Sequence, residues 1–374
     1  MPRLVLRQTA LLLSATVAGL LVLSIGCSKD SAVAPKTPSQ PLPSGTPGTW
    51  QDLGLSTGFV EVLALTTWNG YLFAGGSFHD VNGNPSISLA QWDGAVWSNV
   101  GPNIGGGVTT LAVYNTHLIV GGNFPHINGD PIQYLADWDG ATWKGLGEAP
   151  NRSVSSLTVY NGDLIAGGDF DSIGGVPAAN IARWDGAAWH ALGGGLNSVP
   201  WALTVYKGSL VAGGSFNRAD GALAPGIAAW NGSSWSSIGG GLGGGPLGNP
   251  FGTVIALGVH GDSLIVGGSF TTAGGVSARN VAKWNGAQWD SLGSGLGTAS
   301  HEYVKAFAEY GDTLVAGGNF PGYVRHWNGS AWTPMSSLNG TVNALTVYGG
   351  SLIAGGYFPK EPGYDGNGIA RWVK

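Results

Sequence analysis

Beyond about residue 48, apolar and polar positions alternate in short stretches of strand length, each stopped by glycine, asparagine or aspartate. One unit reads clearly. Residues 154–160, Val-Ser-Ser-Leu-Thr-Val-Tyr, form a first strand, Asn161-Gly162 a tight turn, and Leu164 to Gly168 an apolar second strand suited to cover on both faces. Phe170 then fills space between sheets. A variable loop from Asp171 to Ala179 leads to a third strand ending at Trp184, and Asp185-Gly186 turns the chain into a fourth that carries Trp189. No sustained 3.6-residue apolar period follows the N-terminal stretch, so no helices are expected.

The unit recurs. Gly-Gly-x-Phe begins at Gly75, Gly121, Gly167, Gly213, Gly267, Gly317 and Gly355, with spacings of 46, 46, 46, 54, 50 and 38 residues. A repeat of roughly 40 to 50 residues built from short strands marks a β-propeller. The pattern predicts an all-β fold, a seven-bladed β-propeller of four-stranded blades spanning 48–374. The glycine pair answers a need for positive φ or for close backbone approach where blades crowd.

Asp-Gly or Asn-Gly stands between the third and fourth strands at Asp93, Asp139, Asp185, Asn231, Asn285 and Asn328. Read as two-residue type I′ turns, these place Trp184 opposite Ala187 and Ala182 opposite Trp189, with large and small side chains on one face. Fourteen of the 16 tryptophans belong to this device and are expected in the core, leaving Trp68 and Trp201. The chain ends after a third strand at Trp372, and residues 48–54 supply a fourth strand without a third. The strand around Trp50 should therefore complete the last blade and remove its open edge.

The four hydrophobics, Gly-Gly, aromatic, turn and Trp over about residues 48–374 resemble the kelch repeat. More closely, the GGxF, small-residue loop and NIAxWDGxxWxxLG pattern is similar to a repeat of bacterial extracellular propellers and of fungal cortical marker proteins for cell polarity. The hairpin departs from kelch, since four residues separate Trp184 from Trp189 where kelch has six, so kelch partner binding does not carry over. The closer resemblance implies surface display without assigning a reaction.

The N-terminus differs from the rest. Arg3 and Arg7 precede an uncharged stretch from Gln8 to Ser28 rich in leucine, which reads as a signal peptide over 1–26. Ser24-Ile25-Gly26-Cys27 resembles the bacterial lipoprotein box, with Ser24 where that box prefers leucine, and Cys27 is the only cysteine, which excludes intrachain disulfides. Lipidation of Cys27 is the expected arrangement; an uncleaved anchor and plain secretion are the alternatives, and all three put the domain outside the cytoplasm. Residues 27–47 form a Pro/Ser-rich tether, and Ser28, by resemblance to Gram-negative lipoproteins, points to the outer membrane.

Composition agrees with this reading. The chain has 374 residues, 67 of them glycine, with 10% charged and a net charge of -5. Removing residues 1–26 takes two of the 16 basic residues and none of the 21 acidic ones, and the resulting net charge of -7 argues against nucleic acid as a partner. A monomer is expected, with a protein or glycan as partner and the membrane reached through Cys27.

Aligning the repeats on Tyr160 places Leu63, Thr109, Ser155, Trp201, Ile255, Lys305 and Asn343 at the channel-lining position of the first strand. No carboxylate pair or histidine cluster converges there, so no catalytic residue, metal or cofactor is assigned. Trp201 and Lys305 stand out as ligand candidates. Trp201 either stacks on a sugar or plugs the channel, and the plug is the favoured arrangement because large aromatics usually pack. The variable loops add His301, Glu302, Asp80, Asn82, Asp130, Asp220 and Asp365. Asp80, Asn82 and Asn84 alternate like the start of a calcium loop but lack its later glutamate, and turn chemistry explains them equally well. The sequence favours a non-catalytic binding module working through the variable loop face. An extracellular propeller enzyme (lyase, lactonase or glycosidase) with its site at the channel mouth and a structural envelope lipoprotein are the alternatives.

Overall fold

In the computed structural model, residues 48–373 are described apart from 57, 59, 86, 87, 102, 247, 248, 336, 337 and 359–367. The signal peptide, Cys27, the tether and Asp365 lie outside the described residues. Among those described, strands make seven four-stranded antiparallel sheets and no helix is long and apolar enough to cross a membrane. The third sheet is typical. It runs Val154–Tyr160, Asp163–Gly168, Ile181–Trp184 and Trp189–Ala191 in chain order from the inside outwards.

The chain is a β-propeller, and the glycine pairs explain how its sheets approach one another. A Cβ on Gly75 would lie 2.4 Å from Val108 Cγ1 of the second sheet, one on Gly213 2.3 Å from Val254 Cγ1, and one on Gly355 of the last sheet 2.5 Å from Val62 Cγ1 of the first. The first glycine of each pair thus makes room for the next blade, and the last contact closes the circle. The second glycine meets its own blade's backbone instead. A Cβ on Gly76 would sit 2.0 Å from the Glu61 carbonyl oxygen and one on Gly168 2.1 Å from that of Ser153.

That second approach has a common cause. In every sheet the register between first and second strands slips by one residue opposite the glycine pair, as between Val62 and Ala64, Val154 and Ser156, or Val342 and Ala344. The extra residue of this β-bulge is Leu63, Thr109, Ser155, Trp201, Ile255, Lys305 or Asn343. A bulge locally bends the strand and re-aims the side chain it adds. Here it does so seven times at one level of the ring.

Closure follows the sequence reading. Thr49–Asp52 pairs antiparallel with Ile369–Val373, Trp50 standing opposite Trp372. The Gly-Gly-x-Phe phenylalanines, from Phe78 to Phe358, are buried between sheets, each contributing on the order of 1.5–3 kcal/mol. On the face where first and second strands turn, side chains latch neighbouring blades. Trp68 Nε1 donates to Thr116 O at 2.8 Å, Tyr206 Oη to Asp262 O at 2.9 Å, and Tyr348 Oη to Gly70 O at 3.0 Å across the closure.

The outer hairpins correct the sequence reading. Trp184 pairs directly with Trp189, and Ala182 with Ala191, so the loop holds four residues rather than two. Asp185 does not take positive φ; only Gly186 does, at 99°. The aspartate acts through its side chain, Oδ1 accepting the N–H groups of Ala187 and Ala188 at 2.9 Å each. These exposed backbone donors hold the carboxyl well below the usual carboxylate range. The same turn at Asn231 and Asn328 accounts for their Asn-Gly-Ser sequences. Opposed tryptophans therefore stack across the hairpin, ring centroids 5.4 Å apart for Trp184 and Trp189. Positive φ at both positions occurs instead in inner turns such as Asn161-Gly162 and in small loop hairpins such as Asn82-Gly83.

Candidate functional site

The seven inner strands surround a channel enclosing about 320 Å³, lined by six of the bulge residues, Leu63, Thr109, Ser155, Trp201, Ile255 and Lys305, and by Ala344 and Leu345 beside the seventh. Below the bulges lies an apolar ring of Leu65, Leu111, Leu157, Leu203, Leu257, Phe307 and Leu345, since strand side chains alternate and every second residue returns to the channel. These side chains reach the preceding blade's glycine: Leu65 Cδ1 would lie 3.2 Å from a Cβ on Gly355. The leucines belong to the scaffold.

Several polar bulge residues are also spent on the ring. Thr109 Oγ1 donates to Val154 O at 2.7 Å, Ser155 Oγ to Pro200 O at 2.8 Å, and Asn343 Nδ2 to Val62 O at 3.0 Å, each reaching the next blade's backbone. Trp201 and Lys305 do something else.

Trp201 is 45% exposed, so the expected plug is not what forms. The bulge turns the indole into the channel, where neighbouring side chains do not cover it, and its Nε1–H donates to Ser215 Oγ at 2.7 Å. Ser215 is the variable residue of its Gly-Gly-x-Phe. That bond restrains the indole while nearly half of the residue stays in water.

Lys305 Nζ donates to Asn343 Oδ1 at 2.7 Å and lies 5.6 Å from the centre of the Tyr303 ring. Asn343 Nδ2 in turn donates to Glu61 Oε1 at 3.2 Å. An arc of lysine, amide and carboxylate thus crosses the sixth, seventh and first sheets. Burial pushes the Lys305 ammonium below the usual lysine range, opposed by the nearby Glu61 carboxylate, and burial pushes the Tyr303 phenol up.

The loop candidates separate from this group. Asp80 accepts from Ser56 Oγ at 2.5 Å and from Gly83 N at 3.0 Å, while Asn82 donates from Nδ2 to Trp97 O at 2.9 Å. Asp220 accepts Gly194 N and Trp235 N at 2.7 Å each. Asp80, Asn82 and Asp220 stabilise small hairpins packed over the outermost strands, away from the channel. Asp130 is exposed and its backbone closes a turn with Ile127. Glu302 is buried and accepts the N–H groups of Thr298 and Ala299, so it organises the strand entry rather than facing a ligand. His301 is exposed beside it. No group of three or more His, Cys, Asp or Glu suited to a metal occurs among the described residues.

The structure adds Glu61, Tyr303 and Ser215 to the site. Glu61 and Tyr303 precede a bulge residue by two positions, and Ser215 follows a glycine pair. Period-two counting upstream from the channel position, together with the x of Gly-Gly-x-Phe, is the signal that finds them.

No protein-family model matches the chain, and no curated protein matches it in sequence. Solved structures do match. The WD40 β-propeller domain of Doa1 aligns with a TM-score of 0.55 at 12% identity, over 87% of this chain and 97% of that one. A chain of a mitotic checkpoint complex aligns with a TM-score of 0.55 at 12% identity, over 96% and 98%. At this identity the likeness establishes the fold and nothing finer.

Proposed function

We propose that the chain is a non-catalytic interaction module, exported, held at the cell envelope by lipid on Cys27, and engaging its partner through the variable end of a seven-bladed propeller. The supporting observation is the contrast between repeated scaffold and unrepeated channel wall. Glycine pair, phenylalanine and stacked tryptophans recur blade after blade, while the bulge position in the same register holds Leu63, Thr109, Ser155, Trp201, Ile255, Lys305 and Asn343. A rigid ring that presents different side chains at one level suits recognition. The propeller folds of the WD40 domain of Doa1 and of the mitotic checkpoint complex chain fit an interaction role. The anchored, surface-displayed form rests on the lipoprotein-like box and on the resemblance to extracellular propellers.

Two experiments test this. In cells, Cys27→Ala should move the protein from the detergent phase to the aqueous phase on phase partition; unchanged partition removes the lipid anchor. Cross-linking at the cell surface should recover a partner that Trp201→Ala or Lys305→Ala releases. If only substitutions in the outer hairpins release it, the channel end is not the interacting surface.

A further inference from the structure

The structure assigns the channel mouth, we infer, to a saccharide: a pyranose carrying a carboxylate, its carbon–hydrogen face on Trp201 and its carboxylate on Lys305. The inference rests on the interaction reading and gives that surface a ligand class.

Trp201 supplies the first half. Fourteen tryptophans stack in pairs across hairpins or the closure, with centroids from 4.8 Å for Trp138 and Trp143 to 5.5 Å for Trp327 and Trp332. Among the described residues, Trp201 is the exposed large aromatic on the channel wall, at 45%, and the bond from its Nε1–H to Ser215 Oγ restrains it. A flat apolar face fixed before binding loses little freedom when covered. A sugar ring suits such a face, because its axial hydrogens make an apolar patch while its hydroxyls stay at the edge, free to bond.

Lys305 supplies the second half. An ammonium has three N–H donors, and one of them is given to Asn343 Oδ1 at 2.7 Å. Glu61 is reached through the amide of Asn343, without a direct ion pair. Donor capacity and positive charge therefore remain for an incoming anion, in partly buried surroundings where a charge-assisted hydrogen bond is stronger than in bulk water. Lys305 fixes the direction: it is the charged side chain on the described channel wall, so the carboxylate end turns toward the sixth sheet.

Size selects within this class. A volume of about 320 Å³ stands at the lower end of the roughly 300–1,000 Å³ typical of ligand pockets. A space of this size accommodates the end of an oligosaccharide. An acidic peptide would use Lys305 too, but a glutamate side chain brings no flat face to Trp201.

The test titrates the full chain calorimetrically with a galacturonate trisaccharide, a galactose trisaccharide and a glutamate tripeptide. The acidic sugar should bind saturably and about tenfold more tightly than the neutral one, the value of one charge-assisted bond. Lys305→Gln should equalise the two sugars, and Trp201→Ala should weaken both by about tenfold or more, with cooperative unfolding retained in each variant to show that it folds. Failure to bind either sugar, tighter binding of the tripeptide, or a preference that survives Lys305→Gln overturns the assignment. In that event, surface partner capture that still depends on Trp201 or Lys305 would leave the interaction reading standing.

Discussion

Trp50, the third residue of the domain, packs edge-on against Trp372, the third residue from the end of the chain, with ring centroids 5.2 Å apart at an interplanar angle of 64°. The pair stands where Trp184 and Trp189 stand within one continuous hairpin, but here no turn joins its strands. Four backbone registers and this contact hold the ends together.

Trp50→Ala should accordingly destabilise the whole ring. A buried tryptophan truncated to alanine costs roughly 3–5 kcal/mol, and the half-buried position of Trp50 lowers the expectation to about 2–4 kcal/mol. Removing residues 48–53 should cost more, because the seventh sheet then exposes an edge strand and invites pairing with a second copy. Denaturant unfolding and size-exclusion chromatography read the two effects. A deletion that remains monomeric with an unchanged midpoint would show that the closure carries no stability.

Gly168→Ala and Gly162→Ala separate two reasons for glycine. Gly168 has no positive φ, but its added Cβ would sit 2.1 Å from the Ser153 carbonyl oxygen, which is fixed backbone opposite the bulge. Gly162, at φ 87°, has nothing within 4 Å. The first substitution should cost about 2–4 kcal/mol by overpacking and the second about 1 kcal/mol by left-handed strain alone. Equal midpoints for the two variants would contradict the bulge as the origin of the glycine pair.

Trp189→Ala and Trp201→Ala make the matching contrast among tryptophans. Trp189 is 3% exposed and donates from Nε1 to Leu146 O, in the connection from the preceding sheet, at 2.7 Å, so its loss should cost about 3–5 kcal/mol. Trp201→Ala should stay within about 0.5 kcal/mol, as surface substitutions do. A large loss at Trp201 would mean that the indole serves the fold rather than a ligand.

These contrasts also show how far the sequence carries. The repeat, the closing strand at Trp50 and the channel position were legible because each follows from a spacing, and spacing survives without knowing any side-chain direction. The outer hairpin was misread because Asp-Gly marks a two-residue type I′ turn and, equally, a four-residue turn in which aspartate accepts two N–H groups; only the register of Trp184 with Trp189 decides between them. Trp201 was expected to pack because most tryptophans do. The bulge that turns it into open channel is a one-residue slip in register, which periodicity alone does not display. Asp80, Asp220 and Glu302 stand out as charged loop residues, yet each accepts backbone N–H groups of the scaffold, Asp80 and Glu302 within a turn and Asp220 from a neighbouring loop and an outer strand, a use that composition does not distinguish from binding.

Lys305 gives the pH dependence. Its folded-state pKa lies below the unfolded one because burial disfavours the ammonium, with Glu61 opposing. Below the folded pKa both states are charged and the full cost of burying the cation is present. Between the two values the unfolded chain binds more protons, so stability rises with pH and that cost is relieved. Lys305→Met should therefore be more stable than the wild type at neutral pH, and the difference should shrink as pH rises through the lowered lysine pKa toward the ordinary range. Urea midpoints of both proteins along a pH series provide the measurement, and their difference cancels the tyrosine ionisations common to both. A difference that stays constant across the series, or a variant less stable at neutral pH, would mean that Asn343 and Glu61 fully compensate the charge, leaving Lys305 no positive potential to offer an anion at the channel mouth.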